Sequence, residues 1–295
     1  MPTFKRVLLA LDLSGIDEQL LQFIAQHAEA LGTEKLYLLH IIPDFALPAG
    51  AEADFRSKFA PDIPVDEQLK KKITEQLESS FSVPDSIEVE IEVREGKPYE
   101  KLLHWLKVKN IDLLVLGKKA ISEGSGITAK RVARNASCSV LFVPEHAAGS
   151  FQHLVVPNDY SENSGRAIQA AVQLSRRLGG VPVHSLHIID LPPEDYYNRT
   201  GPGQGYRGLL MESAKMAGRD FLKQQKLRDE DIVEAYHENT KGNVPRQILA
   251  YARDHGNCLL IMGAKGHAPF ETFLFGSVTE KLAQAVEQQP LLIVR

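Results

Sequence analysis

Two glycines three positions apart, nine intervening residues and then a Gly-Ser pair make up Gly263 to Ser277, GAKGHAPFETFLFGS, directly after the apolar run Cys258 to Met262. Ser277 to Ala285 (SVTEKLAQA) reads as a helix. The amides of Ser277, Val278 and Thr279 in its first turn have no intrahelical acceptor. A helix end of this kind carries about half a positive charge and attracts phosphate. Ser277 adds a hydroxyl, and Gly263 and Gly266 let a ligand and the backbone approach closely. A plain turn from strand to helix would use glycines too. A carboxylate completes the set: Asp159, in Val156-Pro157-Asn158-Asp159, follows another apolar run and can accept hydrogen bonds from ligand hydroxyls. Ser161, two residues on, reads as a helix cap. Asp12 and Ser14 repeat that arrangement near the start of the chain, and Ser14 with Asp17 has capping-box spacing.

The elements behind these residues come in two copies. Residues 4–42 lie over residues 151–189 without a gap at an offset of 147, and Gly96–Gly117 lie over Gly242–Gly263 at an offset of 146. So long a period means duplicated domains rather than a solenoid. In each copy short aliphatic runs alternate with amphipathic segments. Val7–Leu11, Leu36–Ile42, Ile87–Val93, Leu113–Leu116 and Val140–Val143 read as strands, as do Leu154–Val156, Val183–Ile189, Ile232–Tyr236, Leu259–Met262 and Leu291–Val294. Helical spacing of Leu20, Ile24, Ala28 and Leu31, of Leu69, Ile73 and Leu77, and of Leu102 and Leu106 fills the gaps. The order βαβαβαβαβ predicts an α/β fold, a doubly wound parallel sheet covered on both faces, twice over. The domains fall at 1–145 and 150–295, joined by EHAAGS. In such sheets ligands bind beyond the carboxyl ends of the strands, which is where Asp159 and Gly263 fall.

The bulk composition narrows the function. A chain of 295 residues with 43% hydrophobic and 24% charged residues and a net charge of −4 is an ordinary globular protein without a basic footprint for nucleic acid. No apolar run approaches the roughly 18 residues of a membrane span, and Asp12 arrives too early for a secretory signal, so a cytoplasmic location is expected. Cys138 and Cys258 read as buried small hydrophobes. Neither GxxxxGK[ST] nor a GxGxxG after the first strand is present. Gly201-Pro202-Gly203-Gln204-Gly205 reads as a flexible loop, and the irregular stretches 43–65 and 191–208 as mobile loops or lids.

With these residues in view, the chain resembles a tandem universal stress protein, two such domains in one chain. The spacing G-x-x-G, nine residues, then G-S matches that family's ATP-binding signature. The resemblance implies five-stranded parallel sheets of the Rossmann-like, adenine nucleotide alpha hydrolase-like kind, pairing of the domains through their last strands, and ATP, with or without Mg²⁺, in one or both. It places the ribose on Asp159 with Pro157 beside it, the adenine on the backbone of Ile188, and the phosphates on Met262, Gly263, Gly266, Gly276, Ser277, Val278 and Thr279. The first copy departs from the signature: Ala120 stands for the second glycine, Ile127 for the serine, and the loop is four residues shorter. Nucleotide is therefore expected in the C-terminal domain alone, and the glycine pattern reads as the ligand's requirement rather than the fold's. A stress-response binding or regulatory module is the expected function. A slow ATPase or nucleotidyl-transfer enzyme, and a scaffold for another small molecule or lipid, are the alternatives; no catalytic or metal-ligating residue is assigned, and a homodimer stays open.

Overall fold

The computed structural model describes residues 3–44, 65–80, 83–119, 125–190, 203–227, 231–239, 242–266 and 275–295. The chain divides into two compact units, Thr3–Cys138 and Ser139–Arg295.

The first unit runs β1 (Arg6–Leu11), α1 (Ile16–Leu31), β2 (Lys35–Pro43), α2 (Val65–Ser80), β3 (Glu88–Gly96), α3 (Pro98–Val108), β4 (Leu113–Lys118) and α4 (Ser125–Asn135). Its strands lie in the order β3-β2-β1-β4, each pair parallel. Val7, Leu8 and Leu9 of the central β1 are all fully buried, because helices cover both faces. The edge strand β3 instead alternates Glu88, Glu90 and Glu92 with Val89, Ile91 and Val93, as a strand covered on one face does. Helix α1 buries Ile16, Leu20, Ile24, Ala28 and Leu31, one stripe at helical spacing, and ends where Gly32 takes the left-handed φ of 77° that lets its N–H and that of Thr33 turn back to Glu29 and Ala28.

The second unit contains β5 (Ser139–Pro144), β6 (His153–Pro157), α5 (Glu162–Arg177), β7 (Val183–Ile189), α6 (Gly203–Gln224), β8 (Ile232–Glu238), α7 (Val244–Asp254), β9 (Cys258–Gly263), α8 (Ser277–Ala285) and β10 (Leu291–Val294). Its order is β5-β10-β9-β6-β7-β8. The strands of the repeat are parallel, and β10 pairs antiparallel with β5, Leu291 opposite Phe142 and Ile293 opposite Val140. The strand that ends the first repeat thus packs within the second compact unit, although sequence similarity alone groups it with residues 1–145. All six residues of β5 and all four of β10 are buried.

The remaining sequence expectations divide by region. Cys138 and Cys258 are both buried, as thiols and not as a disulfide. Helix α6 already begins at Gly203, so the latter part of the glycine run read as a loop is helical. Residues 45–64 and 191–202, where the two lids were expected, lie outside the described residues, as do Ala120 and the loop from His267 to Leu274. Among the described residues no helix is long and apolar enough to cross a membrane.

Candidate functional site

Strand β6 is shorter than its two neighbours, and this difference makes a crevice. Its last residue, Pro157, is in register with Leu186, while β7 continues to Ile189. On the other side β6 pairs with β9 only as far as Leu260, and β9 continues to Gly263. Asn158 N–H donates to Leu186 O (2.8 Å), so the even-numbered peptide groups of β7 turn toward β6, and Asn239 N–H donates to Ile189 O (2.8 Å), so the odd-numbered ones turn toward β8. Ile188 therefore presents its N–H and C=O above the end of β6, the place where a base edge could be read.

The turn after β6 is built by Asn158, a residue that sequence reasoning passed over. Its side chain is buried, donating to Ser185 Oγ (3.0 Å) and accepting from Tyr160 N–H (2.8 Å) and Ser164 Oγ (2.9 Å). Its carbonyl accepts from His187 Nδ1 (2.8 Å), and the imidazole stacks on the Tyr160 ring at 4.3 Å between centroids. Burial holds His187 below its ordinary pKa even though the Asn158 bond favours the charged form, so the ring is neutral with its proton on Nδ1. Burial pushes the Tyr160 phenol up to about 12, and it donates to Ala214 O of α6 (3.0 Å). The sequence held one hint of this network: His40 and His187 coincide in the repeat, each a polar residue inside an aliphatic strand. In the first unit His40 Nδ1 makes the same contact, to Leu11 O (3.0 Å).

Asp159 follows, exposed, with Oδ1 accepting from Ser161 N–H (3.1 Å), while Ser161 Oγ caps α5 by accepting from Ser164 N–H (3.2 Å). The glycine segment closes on this carboxylate. A side chain at Gly266 would strike Asp159 Oδ2, and Gly276 lies against Lys265 and Gly266, with Lys265 Cα 3.5 Å from where its Cβ would be. Gly276 N–H donates to Ala264 O (2.8 Å), and helix α8 starts at the next residue, its N-cap a glycine that has no side chain to bond the first-turn amides. Ser277 is exposed at its mouth, whereas Thr279 is buried and donates its hydroxyl to Gly263 O (3.2 Å), which leaves Thr279 only its backbone to offer.

Asp159, Gly266, Gly276 and the start of α8 thus meet, with Ile188 and Pro157 at the neighbouring strand ends. Two of the residues expected there have structural duties. Met262 is buried, and bonds from Leu260 N–H to Pro290 O and from Ala264 N–H to Val294 O turn the even-numbered peptides of β9 toward β10, so Met262 offers the crevice no polar group. A Cβ on Gly263 would come 2.7 to 2.8 Å from Asn163, backbone atoms included. Packing of α5 on β9 is thus enough to require that glycine, contrary to the expectation that only a ligand calls for the pattern. Gly276 is different: its φ of −65° and ψ of 158° suit any residue, and its Cβ would meet nothing closer than 3.5 Å.

The corresponding place in the first unit is arranged otherwise. Lys119 Nζ pairs with Asp12 Oδ2 (2.8 Å), and Ser14 donates both N–H (3.1 Å) and Oγ (2.5 Å) to Asp12 Oδ1. Burial pushes Asp12 upward, but the Lys119 ammonium and Ser14 outweigh it and hold the carboxyl below its ordinary value. Ser14 does not cap α1; Asp17, 2% exposed, reaches back to accept from Asp12 N–H (3.3 Å) and Leu13 N–H (2.7 Å). Its burial raises it to about 6. Helix α4 begins at Ser125, which puts Gly126 inside the first turn rather than ahead of it.

Relatives carry the same architecture. The curated proteins similar to this chain include Universal stress protein MJ0531 of Methanocaldococcus jannaschii, 26% identical over 146 residues, covering 49% of this chain and 82% of that one. Universal stress protein YxiE of Bacillus subtilis is 27% identical over 159 residues, covering 49% and 99%. Among solved structures, a universal stress protein from Archaeoglobus fulgidus aligns with a TM-score of 0.63 at 17% identity, covering 99% of this chain and 98% of that one, which is likeness of fold. The sequence profile of the Universal stress protein family matches residues 3–144 and again residues 150–295. On a repeat legible in the sequence and a profile that matches both halves, the chain belongs to the universal stress protein family.

Proposed function

We propose that the second unit binds ATP in the crevice above β6 and that the chain, a stress-response protein by family, works as a nucleotide-dependent binding or regulatory module in the cytoplasm rather than as an efficient enzyme. The observation that carries this reading is the start of α8 lying against Gly266, where a side chain would in turn strike Asp159. Three helix-terminal amides, a hydroxyl and a carboxylate are read together with the peptide of Ile188, which turns toward the end of β6. In this reading the ribose hydroxyls donate to Asp159, Ile188 reads the adenine edge, and the phosphates lie over Gly266, Gly276 and the amides of Ser277, Val278 and Thr279. No metal ligand is assigned. In the first unit the Lys119 ammonium already satisfies Asp12, which supports a single nucleotide per chain. The ladder between β10 and β5 supports pairing of the repeats through their last strands within one chain.

A thermal shift titration tests the reading. At one hundred times its dissociation constant, ATP stabilises by about 2.7 kcal/mol, a rise of several degrees in Tm. Because the fold does not require Gly276 to be glycine, Gly276→Val is expected to fold like the parent and to lose the shift. A parent protein indifferent to ATP overturns the proposal.

A further inference from the structure

At the opposite end of the second unit's sheet, where the strands begin, three imidazoles come together. His153 opens β6, His184 is the second residue of β7, and His255 follows α7, whose last turn carries Tyr251. His153 Nδ1 lies 2.9 Å from His184 Nε2, and His184 Nδ1 lies 2.7 Å from the Tyr251 hydroxyl. The His255 ring packs 4.9 Å from His184 and 5.4 Å from His153, stacks on Tyr251 at 4.0 Å, and bonds Tyr251 O through Nδ1 (2.8 Å). His184 is 6% exposed with both ring nitrogens engaged.

This arrangement is built for neutral rings. The bond between His153 and His184 needs one bare nitrogen; with both rings protonated, N–H faces N–H across 2.9 Å. Among the described residues, the other groups facing the cluster do not offset a positive charge. From β8 comes His237, 5.0 Å from the Tyr251 ring; from α7 comes Tyr251 itself; from β9 comes Cys258, whose thiol donates to Ala252 O (3.4 Å). Arg253 and Asp254, at the end of α7, are exposed. Burial keeps both the Tyr251 phenol and the Cys258 thiol neutral. Among the described residues the charges that act on His184 are those of His153 and His255, and a buried cation that meets no carboxylate is unstable.

The first repeat shows that the fold does not need imidazoles here. Positions 6, 37, 105 and 109 correspond to His153, His184, Tyr251 and His255, and they hold Arg6, Tyr37, Trp105 and Lys109. Lys109 Nζ sits 5.1 Å from the Tyr37 ring centroid and 5.0 Å from that of Trp105, with Glu90 2.8 Å away. Arginine, tyrosine, tryptophan and lysine are not side-chain types whose ordinary titration falls between neutral and mildly acidic pH, as that of imidazole does.

We infer that the His153–His184–His255 cluster is a proton-operated latch that, while neutral, fastens the starts of β6 and β7 to the end of α7 and that opens on acidification. Burial first, and the neighbouring imidazoles second, depress His184 to about 4, so proton uptake must come with loosening of the seam. The inference does not depend on nucleotide.

Hydrogen exchange of the full-length chain, corrected for intrinsic rates, tests it. Between pH 7.5 and 5.5 the segments 153–156, 183–186 and 251–255 are expected to lose protection about tenfold or more. His184→Tyr, which installs the first repeat's residue, is expected to remove most of that loss. Should that variant fold poorly at pH 7.5, His255→Gln, at a half-buried position, is expected to reduce the loss in the same segments. Parent protection that is independent of pH overturns the latch, as does an undiminished acid loss in a folded variant.

Discussion

The turns after β1 and β6 share a backbone and differ in what faces it. Leu13 and Tyr160, the residues after the two aspartates, both take the left-handed region, at φ of 58° and 62°, and in each unit an imidazole from the next strand bonds the carbonyl ahead of the aspartate. The strained turn belongs to the fold, since it survives in both copies. What differs is the surroundings of the carboxylate: Lys119 and Ser14 bind Asp12, whereas Gly266 and the start of α8 stand beside Asp159. In one copy a lysine ammonium meets the carboxylate; in the other a glycine segment and the helix start behind it come up beside the carboxylate. The same divergence recurs at the far end of the sheet, where fixed charges and aromatics in one repeat stand where imidazoles stand in the other.

The sharpest way to break this comparison is at the paired glycines. Gly263→Ala drives a Cβ into the Asn163 backbone, so α5 must move off the sheet, and an overpacking cost of about 1–3 kcal/mol is expected. Gly117→Ala meets only the methyl ends of Ile16 and Leu20 at 3.1 Å, which can turn aside, and should cost below about 1 kcal/mol. Urea midpoints of the two variants check this; equal costs would mean that the glycines do the same work.

Next in size is the response to acid, which has opposite signs in the two units. Asp17 is raised in the native state to about 6 from 3.8, so the folded first unit takes up the proton before the unfolded chain does and gains stability as pH falls from about 6 toward 4. The contribution is about 1–2 kcal/mol after allowance for partial solvation. His184 is lowered to about 4 from 6.5, so the second unit keeps its full stability above 6.5 and loses it as pH falls toward 4. Segment-resolved hydrogen exchange between pH 7 and 5 should show protection rising around α1 while it falls around β6 and β7. Slopes of the same sign would remove the contrast.

The smallest effect is expected at Lys119. Its pair with Asp12 is partly solvated, the side chains being 28% and 40% exposed, so Lys119→Met should change stability by less than about 1 kcal/mol. The Asp12 carboxyl should nevertheless rise toward its ordinary range, as carbon-detected NMR titration would read. No rise would assign the depression to Ser14 alone.

The fold was legible because its signals are local. Aliphatic runs such as Val7–Leu11 and Cys258–Met262 and the stripes of α1 mark strands and helices without any knowledge of partners. Gly266 and Ser277 stand out in the sequence because the first copy has Ala120 and Ile127 in their places, and Asp159 because it recurs as Asp12. The features that escaped are contacts between residues distant in sequence. Lys119 reaches Asp12 across 107 positions, and the neighbour that explains Gly263 is the backbone of Asn163. Asn158 draws no reading from the sequence, and only the approach of Ser185, Ser164 and His187 shows it as the centre of a network. The antiparallel contact of β5 with β10 is another long-range one, and it is the resemblance, not any local signal, that raises it as an expectation.

That last pairing has a consequence for synthesis. Leu141 and Phe142 of β5 leave the ribosome well before Leu291 and Leu292, their partners across the ladder, 149 to 151 positions further on. At roughly 5–20 residues per second the strand waits on the order of ten seconds for its antiparallel neighbour. Throughout that interval the nascent chain carries an aliphatic strand, Val140-Leu141-Phe142-Val143, whose finished surroundings do not yet exist. A ribosome stalled before residue 291 would therefore hold a fully made first repeat whose β5 is still short of its antiparallel neighbour.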